Sequence, residues 1–286
     1  MALNCKALLE REFPVVRQTL TDRDCILYAL SLGLGRDPMN LEDLPYVFEK
    51  DLRVFPTMPV VLGHPGNWLD EPEYEITKKM LVHGSQRLRN YKPLPLNDVI
   101  LGENEVINII DKGAERGAIM ITTRRLRQES TGDILAEMES ALFCRADGGL
   151  SNAPEKPIYE FRCLPDREPD ASIDIPTEPN AAFLYRLNSD RNPLHADPEI
   201  AIGAGFKRPI LHGLCTFGLA GVAIHKTYAK NGFKTIGAIE TRFSQIVYPG
   251  ETVTFDLWRD GNEISYRAMV KSRESKVLDF GRAELV

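Results

Sequence analysis

Apolar and polar positions divide the 286-residue chain into two stretches that share a rhythm. In the second, apolar and polar side chains alternate over 252–258, turn at Arg259-Asp260-Gly261-Asn262, alternate again over 263–270, turn near Arg273-Glu274-Ser275 and finish over 277–285. Runs of period two joined by such tight turns predict an antiparallel meander with one buried and one solvated face. The first stretch repeats the scheme: 105–110, Asp111-Lys112-Gly113, 118–126, Ser130-Thr131-Gly132-Asp133 and 134–143.

Ahead of the second meander, 214–230 is apolar with the small residues Gly218, Ala220, Gly221 and Ala223, and it stops at Asn231-Gly232. This predicts a buried helix ended by a glycine. The step His212-Gly213 opens it, and His83-Gly84 is expected to open an apolar segment of the first stretch in the same way. A shorter helix is expected after Thr21-Asp22-Arg23-Asp24, with a counterpart over 190–203. The chain therefore reads as an internal repeat of α+β class, each sheet wrapping a helix. Pro154, Pro157, Pro165, Pro169, Pro176 and Pro179 with charged filler mark a connector. The expected division is 1–150, a linker at 151–178, and 179–286.

Composition acts by exclusion. Hydrophobic residues at 43% and charged residues at 27% suit an ordinary globular chain. A net charge of -6 argues against a general nucleic-acid binder, because phosphate contacts need a basic face. Cys5, Cys25, Cys144, Cys163 and Cys215 form no CxxC pair, so reduced thiols are expected rather than a zinc ribbon or a disulfide framework. No apolar run approaches the roughly 20 residues of a membrane span. With neither a signal-peptide design nor a peroxisomal C-terminal tripeptide, the expected location is the cytoplasm.

Candidate chemistry gathers in Tyr185-Arg186-Leu187-Asn188-Ser189-Asp190-Arg191-Asn192-Pro193-Leu194-His195-Ala196-Asp197-Pro198 and in Arg208-Pro209-Ile210-Leu211-His212-Gly213-Leu214. Pro193 fixes its own φ and biases Asn192 away from helix, so a rigid non-helical loop is expected, in which Asp190 and His195 face one water. Asp197 before Pro198 is expected to cap a helix. Asp190, His195, Asp197 and His212 are metal-ligand types, but no compact HExxH-like spacing supports a metal, and none is expected. His212 is read as a structural hydrogen-bond donor near the helix start and Cys215 as a core residue. His64 and His225 show no functional pattern, and Arg124-Arg125-Leu126-Arg127 reads as a solvated strand face.

These residues closely resemble the signature of the MaoC-like (R)-specific enoyl-CoA hydratases. Leu81-Val82-His83-Gly84-Ser85-Gln86 and Lys92-Pro93-Leu94-Pro95 resemble that family's degenerate N-terminal hotdog, so the resemblance spans nearly the whole chain. It implies a double hotdog whose first half shapes an acyl and coenzyme A site and whose second half is catalytic. It further implies reversible hydration of a trans-2-enoyl-CoA to a (3R)-3-hydroxyacyl-CoA without a cofactor, in a homodimer. By the same resemblance Asp190 and His195 are the catalytic pair, Asn192 helps hold their geometry through its side-chain amide, and Gly213 offers its N–H to the thioester oxygen. His83, Gly84, Lys112 and Phe243 are substrate and coenzyme A contacts. Asn188-Ser189 stands where many members have Ser-Gly, and Ser85 where Glu is common. Two other readings stay open: a dehydratase of carrier-protein-linked or specialised acyl thioesters, and a non-catalytic thioester-binding subunit.

Overall fold

The computed structural model describes residues 3–150, 153, 160–228 and 235–286. Among them the strands are β1 Val16–Thr19, β2 Leu81–Asn90, β3 Val99–Asp111, β4 Ala118–Gln128, β5 Ile134–Cys144, β6 Ala171–Pro176, β7 Ile236–Phe243, β8 Thr252–Asp260, β9 Glu263–Val270 and β10 Ser275–Leu285. They form one sheet in the order β1-β3-β4-β5-β2-β7-β10-β9-β8-β6. Read inwards from either edge, each half follows the same connectivity: first, third, fourth, fifth and second strand. The halves join through their second strands, with Ser85 opposite Arg242 and Arg89 opposite Ala238 in antiparallel register. This is a double hotdog fused edge to edge, and the internal repeat seen in the meanders is its cause.

The helices are α1 Cys5–Leu9, α2 Asp22–Ser31, α3 Leu44–Val47, α4 Ala181–Tyr185, α5 Pro198–Gly203 and α6 Gly213–Tyr228. Thr21 and Asp24 make a reciprocal capping box at the start of α2, as the Asp-rich segment implies. Asp197 Oδ1 accepts from Glu199 N and Ile200 N, with Pro198 in the first helical position of α5. The expected stop of α6 at Asn231-Gly232 lies outside the described residues. The segment expected as a connector, 151–178, ends in β6, which pairs with β8 as the first strand of the second repeat.

One expectation fails. His83-Gly84 does not open an apolar segment; it lies inside β2, at a register shift between His83 and Ser85. The alternation of inward Gln86 and Leu88 with outward Arg87 and Arg89 requires a strand there. At the bulge a Cβ on residue 84 would come within 3.2 Å of Ala141 O, which is why a glycine stands at that point.

The second repeat packs an apolar concave face against the core helix. Val253, Phe255, Leu257, Ile264, Tyr266, Ala268 and Val270 are fully buried and belong to one cluster with the α6 residues Phe217, Leu219, Ala220 and Ile224. Each large apolar side chain so buried contributes about 1.5–3 kcal/mol relative to exposure. Gly218 lets α6 approach the first repeat, since a Cβ there would sit 2.5 Å from Leu32 Cδ2. The first repeat differs. Its inward positions fall into two separate clusters, one shared with α6 through Ile100, Leu126, Met138 and Leu88, the other built on Val106, Ile109, Met120 and Cys144. Among the described residues no helix is long and apolar enough to cross a membrane.

Candidate active site

The loop between α4 and α5 is held from three sides. Pro193–His195 forms a single 3-10 turn capped by Asn192, whose Oδ1 accepts from Leu194 N at 3.0 Å. Asn192 keeps the extended conformation expected of a residue before proline, φ -52 and ψ 125. Its N–H donates to Asp190 Oδ1 at 3.0 Å, which leaves Asp190 Oδ2 directed at His195 Nε2, 3.9 Å away. His212 Nε2 donates to the backbone carbonyl of Asp190 at 3.1 Å. From the first repeat, α2 contributes Ser31, whose Oγ accepts from Asn188 Nδ2 at 3.1 Å.

The His195 ring is buried, whereas the Asp190 side chain is 47% exposed, so the pair lies where interior meets solvent. His195 Nδ1 is 2.8 Å from Ile210 O. A carbonyl can only accept, so Nδ1 carries the hydrogen and Nε2 presents a lone pair towards Asp190. Burial lowers the His195 pKa below its ordinary value, and the nearby Asp190 carboxylate opposes that shift only in part. The same logic makes His212 the Nε2–H tautomer, with its buried Nδ1 unpartnered. Burial and the adjacent His195 both push the His212 pKa down.

Gly213 begins α6 next to His212. Its N–H is among the first of the helix and has no intrahelical acceptor, while Cys215 N and Thr216 N bond back to His212 O. A Cβ on residue 213 would lie 3.4 Å from the Phe243 ring. The ring of Phe243 in turn packs against His83, with centroids 4.8 Å apart. Gly213, Phe243, His83 and Gly84 therefore form one wall across the seam of the sheet, beside the pair. His83 Nε2 is buried without a partner, and burial drives its pKa down to about 4. Lys112 stands apart in the β3–β4 turn, where its backbone bonds Gly117 and Arg116; its side chain has no ion-pair partner among the described residues.

Asp190, His195 and His212 each offer a ligand atom within 4.8 Å of the others, so this is also the place that could hold a metal ion. Asp197 is occupied in capping α5 and is not part of that group. Cys215 is fully buried in α6 and burial raises its thiol pKa, which makes it a core residue. His225 packs edge-on against Tyr46 in the core.

Sequence reasoning missed two supports of the site. The tether from Ser31 to Asn188 joins side chains 157 residues apart and leaves no local pattern. The expectation for the arginine cluster holds for two of its three arginines. Arg125 and Arg127 face outward and pair with Glu137 and Glu103, but Arg124 is turned inward, onto the concave face. The alternation of the strand carried that signal, because the residues on either side of Arg125 must share the opposite face.

Two concavities lie away from the pair. One of about 880 Å³ lies on the outer sheet face among Arg87, Glu139, Glu240 and Arg282, and one of about 530 Å³ among Tyr46, Phe55, Leu94 and Val286.

Comparison with known proteins agrees with this geometry. Residues 160–279 match the family model described as a MaoC like domain, and residues 18–146 match the MFE-2 hydratase 2 N-terminal domain. The chain is 35% identical to the peroxisomal enoyl-CoA hydratase 2 of Arabidopsis thaliana, covering 96% of this chain and 93% of the relative. It is 38% identical to 3-hydroxyacyl-thioester dehydratase Y of Mycobacterium tuberculosis, covering 93% of each. A MaoC-like dehydratase from Phytophthora capsici superposes with a TM-score of 0.84 at 30% identity, over 99% of both chains. The full-length peroxisomal multifunctional enzyme type 2 of Drosophila melanogaster superposes with a TM-score of 0.80 at 32% identity; this chain spans 48% of it.

Proposed function

This chain belongs to the MaoC-like dehydratase family, with an MFE-2 hydratase 2 type N-terminal half, and we propose that it is an (R)-specific enoyl-CoA hydratase, a hydro-lyase interconverting trans-2-enoyl-CoA and (3R)-3-hydroxyacyl-CoA. One observation supports the reading above the others: Asp190 Oδ2 and His195 Nε2, whose hydrogen-free side follows from the Nδ1 bond to Ile210 O, face each other 3.9 Å apart. Two acceptors at that spacing suit one water donating to both at about 2.8 Å. That water is polarised from two sides, which suits attack on C3 of an alkene conjugated with a thioester.

In this reading the water oxygen bonds to C3 while one of its protons passes to the pair, and the pair returns a proton to C2. Both new bonds form on the face that the pair occupies, so addition is syn. The electrons displaced from the double bond load onto the thioester oxygen as the C3–O bond forms. Gly213 N–H, at the positive end of α6, is the donor assigned to that oxygen. Asn192 holds Asp190 through its backbone N–H and orders the turn through its Oδ1. His83, Gly84 and Phe243 line the approach to Gly213, and Lys112 is assigned to a coenzyme A phosphate.

The first half, 1–150, serves acyl and coenzyme A binding and the second, from β6 onwards, the chemistry. Metal and redox cofactors are not part of the proposal, because in this reading the acceptor pair activates water unaided. A cytoplasmic homodimer is the proposed state. Loss of the enoyl thioester absorbance with crotonyl-CoA, together with the chirality of the product, tests the activity. Turnover to the (3R) alcohol is expected, and coenzyme A binding with no turnover of any enoyl thioester would replace the enzyme by a binding subunit.

A further inference from the structure

The concave face of the first repeat is interrupted by a polar band. On β3 the inward residues pass from Val106 through Asn104 to Ile100, on β4 from Met120 through Thr122 and Arg124 to Leu126, and on β5 from Leu142 through Ser140 to Met138. On β2, His83 and Gln86 precede Leu88. The apolar ends of these strands are the two clusters of the core, and the polar middles line up across four neighbouring strands between them. The equivalent face of the second repeat, covered by α6, is apolar except for residues such as Thr241, which is fully buried opposite Gln86. Polar groups held on an inner face need partners. Gln86 and Ser140 satisfy each other, but the band ends in a cation without an anion.

Arg124 donates through Nε to Asn104 Oδ1 at 3.0 Å, and through Nη1 to Val60 O at 3.2 Å and Leu62 O at 2.9 Å. Its second terminal nitrogen, Nη2, makes none of these bonds, and the side chain has no carboxylate partner among the described residues. Burial lowers its pKa to about 10, so it remains charged near neutrality. Its place relative to the wall follows from strand register: on β2 the inward residue after His83 is Gln86, which lies opposite Ser140, Ser140 lies opposite Thr122, and Arg124 is the next inward residue of β4. The band therefore runs from the wall of His83, Phe243 and Gly213 to Arg124.

We propose that Arg124 is a specificity-determining residue: the polar band takes the acyl tail away from the water-activating pair, and Arg124 receives an anionic group, a carboxylate, at the end of that tail. The inference rests on the hydratase reading above. A guanidinium held rigidly by three oxygen acceptors loses little freedom on binding, and a charge-assisted, desolvated pair with a carboxylate compensates a cation that otherwise lacks a counter-charge.

The test compares trans-2-enoyl-CoA substrates of equal carbon count ending in a methyl or a carboxylate, using wild type, Arg124→Lys and Arg124→Met, with inhibition by free coenzyme A measured in parallel. In wild type, kcat/KM is expected to favour the carboxylate-ended substrate. Arg124→Met is expected to shrink the carboxylate-to-methyl ratio by about 10- to 100-fold, and Arg124→Lys to retain part of it. No carboxylate preference in the wild type would overturn the proposal without relying on any variant. Equal losses on both substrates with weaker coenzyme A inhibition would overturn it in favour of a phosphate at Arg124. An unchanged ratio in a folded variant would leave Arg124 as a clamp for the carbonyls of Val60 and Leu62. Failure of the hydratase reading is distinct, because it leaves both substrates inert.

Discussion

His195 and His212 lie face to face, with ring centroids 3.6 Å apart and planes inclined by 25°, while their bonded nitrogens donate to different carbonyls, Ile210 and Asp190. Two imidazolium ions at that spacing would repel, and burial disfavours charge on either ring. The stack therefore works with both rings neutral: one presents its lone pair to water, and the other holds the backbone of the partner carboxylate.

His212→Phe keeps the stack but removes the N–H that holds Asp190. We expect kcat to fall about 10- to 100-fold through misplacement of the carboxylate, with a smaller change in KM. Urea unfolding should register a loss of about 1–2 kcal/mol for the lost bond. A folded variant with wild-type kcat would remove His212 from the positioning of Asp190.

The pH dependence follows from the depressed histidines. A histidine whose folded pKa lies below its unfolded value of about 6.5 binds fewer protons when folded. Its stabilising contribution is complete above that value and is lost as pH falls towards the folded pKa. His83, lowered to about 4, with His195 and His212 lowered for the same reason, predicts declining stability from about pH 6.5 downwards. Unfolding midpoints between neutral and acid pH check the sign. The acid limb of kcat/KM should fall below the ordinary histidine pKa, because the working ring must be neutral.

Gly213→Ala should fold, since the added methyl meets the Phe243 ring at 3.4 Å, ordinary contact distance. The same methyl occupies the approach to the first helix N–H. Loss of that donor to the thioester oxygen is expected to reduce kcat by about 10²–10³ while thermal unfolding changes little. Equal activity in the variant would move the oxyanion donor elsewhere.

The meanders were legible because period-two alternation and Gly-containing turns are local: β4, β5, β8, β9 and β10 follow the expected runs closely. The strands at the seam, β2 and β7, were not assigned, because their outer faces carry Arg87, Arg89 and Glu240 and their pairing partners are about 150 residues away. The same non-locality hid the bulge at Gly84, which a His-Gly step disguised as the opening of an apolar segment. At the site, the loop from Asp190 to Asp197 could be read from Asn192-Pro193 and Asp197-Pro198, since proline restricts both itself and its predecessor. Arg124 was hidden by its neighbours: one inward side chain in a run of three arginines differs from the others only through the register of its strand.

The clustering of Asp190, His195 and His212 makes metal dependence directly testable. Dialysis against a strong chelator is expected to leave turnover unchanged, and added zinc to inhibit by competing with water for the Asp190 and His195 acceptors. Activity lost on chelation and restored by a divalent cation would replace the paired-acceptor account with Lewis-acid chemistry.

The most direct measurement is the rate of enoyl thioester consumption by wild type, Asp190→Asn and His195→Gln, with circular dichroism to confirm folding and chiral analysis of the alcohol. The account predicts (3R) product from wild type and a loss of about 10²–10⁴-fold in each variant. Folded variants that turn over at the wild-type rate would contradict it.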